Sequence, residues 1–504
     1  MSETTQRPVV HLEAGAVRGS LDEHGIAAFR GIPYAAPPFG QNRMRPPQPV
    51  EPWHGERDAT TFGPTAPKGT YPPQYAVLFP EVDIPGDDCL NLNVWTPSTA
   101  NQAGLPVLVW IHGGSFMNGS SSVGAYDGAT FARDGVVCVS INYRLSADGF
   151  LYVSEDDGIA NLGLLDQLAA LHWVQRNIAM FGGNPARVTV AGESAGAMSI
   201  TTLLSMPLAE GLFAQAITQS GAAAHTLTRD QGRMVAGYLA DALGVQADRE
   251  AIRNVPLEKL VQAASDLVTE VQTAADPAKW GPLALSLLPF APIVDGEILP
   301  QAPLTALAAG QGGSVRLLTG ANHDEARLFF VAPGVIDFID DPTLTAAASA
   351  YGLSADDLAV YRASRPGASP GDLLAAVITD WFFVIPCIRV AEAREAAGSA
   401  STWVYRFDYP TPQDNHGLGT CHATEIPFVF DTITRDDVRP LIGDTPLQAV
   451  ADNAHRAWVA FITAGDPGWP AYDTATRTTA LFSGTITPTA DPAAAERALW
   501  SAIR

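Results

Sequence analysis

Ser194 stands in a short motif whose residue types suit nucleophilic chemistry. Residues 192–196 read GESAG, after a run of β-branched residues and before a run that can form a helix. A serine on a tight strand-to-helix turn has a strained backbone, and small flanking residues such as glycine accommodate it. The turn lifts the hydroxyl above the sheet edge and directs the N–H of Ala195 to the place where negative charge develops on a substrate oxygen. The motif therefore predicts a serine nucleophile for acyl transfer.

A second motif, HGGS at residues 112–115, supplies the backbone groups that such a nucleophile needs. It directly follows the apolar run Leu105–Ile111, and its glycines allow N–H groups to turn toward a bound carbonyl oxygen. Two motifs of this kind, in this order, favour an oxyanion loop over an ordinary glycine turn. We interpret His112 itself as structural.

The serine hydroxyl also needs a base, and chain order narrows the choice among ten histidines. In α/β-hydrolases the order is serine, acid, histidine. Asp324 and Glu325 stand where a predicted strand gives way to a loop, so either could be the acid. His422 lies further along in a loop rich in glycine and threonine, with His416 as its local competitor. The residues alone leave both choices open.

The elements that carry these motifs alternate between strand and helix. Strands are predicted at 105–111, 135–143, 187–192 and 315–322. The continuous apolar runs suit a sheet that is covered on both faces. Residues 162–181 carry apolar positions at helical spacing, and the following GGNP ends that helix. This order predicts an α/β fold with a central, mostly parallel sheet and helices on both faces.

Two segments interrupt this alternation. Residues from about 230 to 307 and from 333 to 397 are richer in helix formers and less regular. We interpret them as helical insertions around the active-site cleft and not as separate domains. The whole chain, 1–504, is thus predicted to be one domain.

The overall charge excludes some classes of partner. The 504 residues include 53 acidic and 30 basic side chains, for a formal net charge of −23. Binding to nucleic acid requires a basic footprint that displaces counterions, and anionic membranes also repel such a chain. We therefore predict no nucleic-acid or membrane partner, and we interpret the acidic surface as favouring solubility.

The N-terminus and the cysteines indicate the compartment. The first residues, MSETTQRPVV, lack a charged start followed by an apolar run, and no apolar stretch is expected to be long enough to span a bilayer. We predict a cytoplasmic location, unless a signal peptide has been removed. Four scattered cysteines are interpreted as thiols, without disulfide or zinc-site spacing: Cys89, Cys138, Cys387 and Cys421.

Motifs along most of the chain resemble one family, the type B carboxylesterases, which include the cholinesterases and the bacterial para-nitrobenzyl esterases. The matching segments include FRGIPYAAPPFGQNRMRPP (29–47), GDDCLNLNVWTP (86–97), NYRLSADGF (142–150), VTVAGESAGA (188–197), FAPIVDGEILPQAP (290–303) and WVAFITAGDPGWPAYD (458–473). Their order and number make the resemblance specific. It implies the α/β-hydrolase fold.

The resemblance also assigns roles that the residues alone left open. It implies that Ser194 is the nucleophile, that Glu325 and not Asp324 is the acid, and that His422 and not His416 is the base. The implied oxyanion donors are the N–H groups of Gly114, Ser115 and Ala195. Ser220 matches a serine that supports the triad from behind it, and Glu193 resembles the acidic neighbour of the nucleophile.

Three positions depart from the family pattern. Ser115 stands where many members have a third glycine, which keeps the N–H donor, so we expect activity to survive. Asn91 occupies a position that is more often Thr or Tyr. Secreted animal relatives pair the cysteine that matches Cys89 with another near FGPTAPK, but Ala66 stands there in this chain, which strengthens the interpretation of Cys89 as a thiol.

Aromatic residues near these motifs are candidates for the substrate pocket. They are Phe116, Phe329, Phe330 and the run WFFVIP (381–386), which begins with Trp381. Together they favour a hydrophobic, permissive cleft. We expect hydrolysis of short to medium-chain carboxylic esters, including nitrophenyl and aromatic esters, without cofactor or metal, by a monomer or weak homo-oligomer.

Two other functions are open. An amidase, a carbamate hydrolase or a thioesterase would use the same triad, because acyl transfer alone does not fix the leaving group. A non-catalytic binding protein on the same fold would typically lack the nucleophile, and all three triad positions are filled here. For the esterase we predict that activity falls in acid as His422 is protonated, with an apparent pKa of about 6 to 7.

Overall fold

The structure is a computed structural model that describes residues 7–100, 103–155, 159–409 and 417–503. His416, the local competitor of His422, lies outside the described residues. The strands are β1 (Val9–His11), β2 (Ala16–Arg18), β3 (Ser20–Leu21), β4 (Ala27–Pro33), β5 (Glu56–Asp58), β6 (Asn91–Thr96), β7 (Leu105–Ile111), β8 (Val137–Ile141), β9 (Gly183–Glu193), β10 (Gln215–Gln219), β11 (Leu227–Thr228), β12 (Ile293–Val294), β13 (Arg316–Asn322), β14 (Thr402–Phe407), β15 (Thr478–Phe482) and β16 (Ile486–Ala490).

Eleven of the described strands form the central sheet, in the order β3-β4-β6-β8-β7-β9-β10-β13-β14-β15-β16. Every pair from β8 to β15 is parallel. The pairs at the two ends of the sheet are antiparallel. The sequence prediction of a mostly parallel sheet is therefore confirmed. Two small sheets, β1-β2-β5 and β11-β12, lie outside it.

Both faces of the central sheet are covered, as the apolar runs predicted. On β7, Val107, Val109 and Ile111 belong to one hydrophobic cluster, whereas Leu108 and Trp110 belong to another. Successive strand residues point to opposite faces, so these two clusters are the cores on the two sides of the sheet.

The helices are α1 (Pro73–Ala76), α2 (Ala129–Arg133), α3 (Ser146–Phe150), α4 (Leu162–Asn177), α5 (Ala195–Leu204), α6 (Arg229–Leu243), α7 (Arg249–Arg253), α8 (Leu257–Ala274), α9 (Pro277–Trp280), α10 (Leu283–Ser286), α11 (Pro303–Ala308), α12 (Arg327–Val331), α13 (Asp341–Ala350), α14 (Ala355–Ser364), α15 (Pro370–Thr379), α16 (Ile385–Ala396), α17 (Ile426–Val429), α18 (Arg439–Ile442), α19 (Gln448–Ala464) and α20 (Ala494–Trp500). The helix predicted over 162–181 continues beyond α4 as a 3₁₀ turn, Ile178–Phe181. Gly182 ends it with a φ of 79°, a conformation that favours glycine.

Helices α15 and α16 are joined by a π-helical turn, Asp380–Val384. Pro386 lies in the first turn of α16 and has no N–H, so the carbonyl of Phe382 lacks the usual intrahelical donor four residues on. That carbonyl instead lies 2.8 Å from Nε2 of His225, whose ring stacks on Phe382 at 3.9 Å. The π turn therefore has a physical cause and a partner that stabilises it.

The run Pro370–Ala396 corrects one sequence expectation. Among the described residues it is long and apolar enough, by length and composition, to cross a membrane, and 67% of its most apolar stretch is buried inside the protein. The expectation that no apolar stretch is long enough was wrong for this run. The burial is what a core helix of a folded protein shows.

The register of the parallel strands aligns their carboxyl ends. Ile111 of β7 pairs with Gly192 of β9, Glu193 pairs with Gln219 of β10, and Gln219 pairs with Gly320 of β13. The residues that follow these four strands therefore leave from the same edge of the sheet, which is where open α/β sheets bind ligands.

Candidate active site

Ser194 lies between β9 and α5 in a conformation that few residues adopt. Its φ is 55° and its ψ is −123°. Its N–H donates to the carbonyl of Gln219 at 2.9 Å, which ties the turn to the neighbouring strand. The strained turn therefore belongs to the sheet edge and is held there.

The glycines on either side of Ser194 are required by close packing. A Cβ at Gly192 would lie 2.5 Å from the carbonyl oxygen of Ile111, and a Cβ at Gly196 would lie 2.0 Å from the same atom. Real side chains do not approach this closely, so only glycine allows the turn to sit against β7. The sequence predicted that these positions must lack bulk, and the structure shows that the carbonyl oxygen of Ile111 on β7 is what a side chain would meet.

His422 and Glu325 are brought together from segments far apart in the chain. Nδ1 of His422 lies 2.7 Å from Oε2 of Glu325, and the backbone N–H of His422 donates to the carbonyl of Glu325 at 3.2 Å. Glu325 is fully buried, and its Oε1 accepts the N–H of Asn322 at 2.7 Å. A carboxylate only accepts, so in the neutral ring this contact places the proton on Nδ1 and leaves Nε2 able to accept one.

Asp324 takes a different position. Its Oδ1 lies 2.8 Å from Nδ1 of His323, and its Oδ2 accepts the N–H of Thr420 at 3.0 Å. Of the two adjacent acids, the structure brings Glu325, and not Asp324, to His422. Asp324 instead supports the loop that precedes His422.

The HGGS loop leads into a turn beside Ser194, which is called the oxyanion turn (residues 114–118) after its predicted role. The carbonyl of Gly114 accepts the N–H groups of Met117 at 2.9 Å and Asn118 at 2.8 Å. A Cβ at Gly113 would lie 3.0 Å from Cβ of Ser194, so the backbone that leads into the turn packs directly on the serine. Ala195 is the first residue of α5, where N–H groups have no intrahelical acceptor. The predicted donors therefore lie in the oxyanion turn and at the start of α5, and both of these adjoin Ser194.

Ser115 has a φ of 55°, which explains why glycine is usual at its position. His112, just before the turn, stacks on Tyr143 with ring centres 4.6 Å apart, and its Nδ1 lies 2.8 Å from the carbonyl of Gly113. Burial lowers the pKa of His112 to about 4. The ring is therefore neutral at ordinary pH and packs as part of the wall behind the turn.

Glu193 contacts the same imidazole as Glu325. Its Oε1 lies 3.0 Å from Nε2 of His422, within ion-pair distance, and its side chain is almost fully buried. Burial raises the pKa of Glu193, the nearby His422 opposes the rise, and the charges of Glu425 and Glu325 add to it. The imidazole thus lies between two buried carboxyl groups.

These carboxyl groups control the protonation of His422. Burial alone would lower the pKa of His422, but the charges of Glu193 and Glu325 outweigh it. The hydrogen bond to Glu325 and the charge of Glu425 also favour the protonated ring, and the pKa rises to about 9. The predicted base therefore holds its proton more tightly than an ordinary histidine.

Glu425 is a buried carboxyl group that the sequence interpretation missed. It is fully buried, accepts hydrogen bonds from Nε2 of Gln219 at 2.9 Å and from Nδ2 of Asn322 at 2.6 Å, and begins the segment EIPFVF. Trp458 in turn donates to Oε1 of Gln219 at 2.9 Å. Burial raises the pKa of Glu425, and the charge of Glu325 adds to this. The sequence signal that could have revealed Glu425 is an acidic residue three positions after His422.

Ser220 follows β10 at the same edge. Its φ is 53°, its N–H donates to the carbonyl of Gly320 at 2.8 Å, and it is fully buried. Within the described residues, its Oγ has no hydrogen-bond partner. Support for the triad by this hydroxyl stays a prediction. The next residue, Gly221, approaches closely, since a Cβ there would lie 2.5 Å from the carbonyl oxygen of Ser194.

Two phenylalanine rings flank His422. The ring of Phe383 lies 4.8 Å from the imidazole and that of Phe329 lies 5.7 Å from it. The two phenylalanine rings are almost parallel, at 7°, with centres 6.4 Å apart. Phe329 is 39% exposed, so this aromatic wall extends from the imidazole to solvent. Phe383 lies in the run WFFVIP (381–386), in which only Trp381 was singled out from the sequence.

The other predicted pocket residues lie elsewhere. Phe116 is fully buried and packs on Phe150 at 4.7 Å, so its ring belongs to the core and not to a wall that solvent reaches. Trp381 packs on Tyr351 at 4.9 Å, within the helical insertion, and Phe330 packs against the same hydrophobic cluster. For Phe330 and Trp381 the physical reason is helical geometry, because neighbouring residues of a helix face different directions.

The four cysteines are buried free thiols. Burial raises the pKa of Cys387 and of Cys421 to about 12, so both are protonated at ordinary pH. Among the described residues, no group of three or more His, Cys, Asp or Glu side chains is arranged to hold a metal ion.

The fold and the residues gathered at the sheet edge define a class, and comparison with known proteins identifies it. The family model described as the Carboxylesterase family matches residues 6–484. The chain belongs to this family, and the protein is a carboxylic ester hydrolase of the α/β-hydrolase fold. The resemblance inferred from the motifs is thereby confirmed.

Individual relatives cover almost the whole chain. The para-nitrobenzyl esterase of Bacillus subtilis is 36% identical over 97% of this chain and 97% of its own length. The phenmedipham hydrolase of Pseudarthrobacter oxydans is 36% identical over 92% of this chain and 93% of its own length. A crystal structure of a Geobacillus stearothermophilus carboxylesterase superposes with a TM-score of 0.85 at 35% identity, covering 98% of this chain and 100% of that chain.

Proposed function

We propose that the protein hydrolyses carboxylic esters through an acyl-enzyme on Ser194, with His422 as base and Glu325 as its orienting acid. One observation carries this proposal above the others. The 2.7 Å contact between Nδ1 of His422 and Glu325 fixes the tautomer whose Nε2 can accept a proton, at the sheet edge where Ser194 is held on its strained turn.

Acylation begins with the serine hydroxyl. Oγ of Ser194 attacks the ester carbonyl carbon, and its proton passes to Nε2 of His422. The carbonyl oxygen becomes an oxyanion that accepts hydrogen bonds from backbone N–H groups of the oxyanion turn and of Ala195. When the C–O bond to the alcohol breaks, the Nε2 proton passes to the departing alkoxide, which leaves as the alcohol.

Deacylation repeats these steps with water. His422 takes a proton from water as the water oxygen attacks the acyl carbon, and the same N–H groups bind the second oxyanion. The bond to Oγ breaks, the proton returns to Ser194, and the carboxylic acid is released. Glu325 stabilises the imidazolium at each stage.

The aromatic wall supports a substrate class. The parallel rings of Phe329 and Phe383 lie beside the imidazole, so a group bound there lies close to the reacting carbonyl. Offset aromatic contacts add about 0.5–1.5 kcal/mol beyond the burial of area. We propose that aromatic and short to medium-chain esters, including nitrophenyl esters, are the preferred substrates.

Covalent labelling and a substrate panel test the proposal. A fluorophosphonate probe should label the parent protein at Ser194, located by mass spectrometry, and should not label Ser194→Ala. The variant Ser194→Ala should fold normally and lose at least about 10³-fold in kcat on a nitrophenyl ester. Labelling at another serine, or near-parental hydrolysis by the folded variant, would overturn the assignment.

The panel should also include bonds other than esters. An anilide, a thioester and phenmedipham belong in it, because one relative is named phenmedipham hydrolase and acyl transfer alone does not fix the leaving group. Among compounds of similar size, we expect kcat/KM to be highest for the ester. A higher kcat/KM for the anilide or for phenmedipham would show that the preferred substrate belongs to that class and is not a carboxylic ester.

A further inference from the structure

The oxyanion turn contains backbone strain that its surroundings must hold. Gly114, Ser115 and Phe116 have successive φ values of 109°, 55° and 60°. For a residue with a side chain, the left-handed conformation is unfavourable, and such strain persists only where neighbouring contacts fix it. One contact is visible on the far side, where the N–H of Ser146 donates to the carbonyl of Phe116 at 2.7 Å.

Asn118 provides the restraint at the other end of the turn. Its side-chain Nδ2 donates to the carbonyl of Gly69 at 2.7 Å and to Oε2 of Glu81 at 3.3 Å. Both acceptors belong to the loop of residues 64–86. The ends of this loop are joined, since the N–H of Thr65 donates to the carbonyl of Ile84 at 3.0 Å and the N–H of Ile84 donates to Oγ1 of Thr65 at 3.1 Å.

A buried ion pair fixes the interior of the 64–86 loop. Nζ of Lys68 lies 3.6 Å from Oε1 of Glu81, and the side chains are only 2% and 15% exposed. The same Nζ donates to the carbonyl of Val82 at 3.0 Å. A lysine is almost never buried unless it is paired, and the chain has only two others, Lys259 and Lys279. A buried pair adds little net stability against apolar residues of similar size, so its presence calls for a role in orientation.

We infer that the Lys68–Glu81 pair positions the oxyanion turn. Lys68 fixes the carboxylate of Glu81. Glu81 in turn holds Asn118, which closes the strained turn next to Ser194. The inference rests on the proposed function, because it gives the pair a purpose only if the N–H groups of this turn stabilise the oxyanion. Lys68 and Glu81 are positioning residues and touch no reacting atom.

Two variants separate positioning from stability. Lys68→Met leaves Glu81 buried without its partner, which destabilises the fold, whereas Lys68→Met with Glu81→Met replaces both charges by apolar groups of similar length. We expect both proteins to lose about 10-fold in kcat on para-nitrophenyl acetate, with KM changed less than about twofold. Their affinity for a trifluoromethyl ketone, which forms a tetrahedral adduct, should fall in parallel, while the double variant keeps a melting temperature close to that of the parent.

The controls keep the outcomes distinct. Lys279→Met removes a Lys–Glu pair on the surface of the helical insertion and should leave kcat and inhibitor affinity unchanged. A folded double variant with parental kcat and parental inhibitor affinity would overturn the inference. If the double variant does not fold, Glu81→Met keeps a similar length but removes the acceptor of Asn118, and a folded Glu81→Met protein with parental kinetics would overturn the inference equally. Activity that survives Ser194→Ala contradicts the proposed function instead.

Discussion

Nε2 of His422 lies 3.0 Å from Oε1 of Glu193, on the side of the imidazole opposite Glu325. This is the nitrogen that must take the proton of Ser194 in the proposed mechanism. A buried carboxylate beside it stabilises the protonated ring and competes for the same proton. We therefore expect Glu193, the residue just before the predicted nucleophile, to raise the pKa of His422.

The first prediction concerns the pH dependence of hydrolysis. His422 acts as a base only when neutral, and its pKa is raised to about 9, so kcat/KM should still rise with pH above neutrality. This places the acidic limb of the profile above the value of about 6 to 7 expected from an ordinary histidine. The measurement is kcat/KM on a neutral ester from about pH 5 to about pH 10.

Glu193→Gln provides the matched variant. Removing the negative charge destabilises the protonated imidazole, so the pKa of His422 should fall and the acidic limb should move to lower pH by about 1 unit. The glutamine keeps the size of the side chain. A limb at the same pH in both proteins would show that Glu193 does not tune the base.

The second prediction concerns the orienting acid. Glu325→Gln presents a neutral amide to Nδ1 of His422, which removes the charge that stabilises the imidazolium and permits the wrong tautomer. We expect kcat to fall about 10³- to 10⁴-fold with the fold preserved, by steady-state kinetics and circular dichroism. Asp324→Asn is the control, since Asp324 contacts His323 and Thr420, and it should hydrolyse esters at a rate close to the parent. The reverse ranking of the two variants would move the acid to Asp324.

The third prediction concerns the aromatic wall. Phe383→Leu keeps the core filled but removes the ring that lies 4.8 Å from His422. The ratio of kcat/KM for para-nitrophenyl benzoate over para-nitrophenyl acetate should fall about 5-fold, because aromatic stacking is lost. Phe338, which is 85% exposed, offers the control Phe338→Leu, for which the ratio should not move. An unchanged ratio in Phe383→Leu would place aromatic groups elsewhere.

The fourth prediction concerns the departure at position 115. The proposed donor is a backbone N–H, so Ser115→Gly should keep kcat within about threefold of the parent. Glycine also relieves the left-handed φ of 55°, which offsets its larger loss of chain entropy, and the free energy of unfolding should change by less than about 1 kcal/mol. Urea denaturation and steady-state kinetics measure the two quantities. A loss of activity larger than about 10-fold would give the serine side chain a role of its own.

Much of the fold was predictable because its signals are local. The apolar runs of β7 and β13 and the glycine-flanked serine are fixed by the backbone preferences of a few adjacent residues. The positions of Ser194 and of Glu325 after their strands follow from those same local patterns. The facing of single aromatic residues was not predictable, since Phe116 and Trp381 pack into cores while Phe383 lies beside the imidazole. Which side of a helix or turn faces the cleft depends on packing against distant segments, and the π turn before Pro386 alters that facing further.

The sequence by itself determined the reaction class, ester hydrolysis, because a glycine-flanked serine turn and a glycine loop carry local patterns and the motifs resemble one family; the choice of Glu325 and His422 came from that resemblance and not from the local patterns. Only the tertiary structure decided how that chemistry is tuned. Local patterns do not predict three features: the contact of Glu193 with His422, the burial of Glu425 and the Lys68–Glu81 pair. Each depends on where segments that are apart in the chain pack together. Strand register and side-chain packing set those distances, and the distances set the pKa of the base.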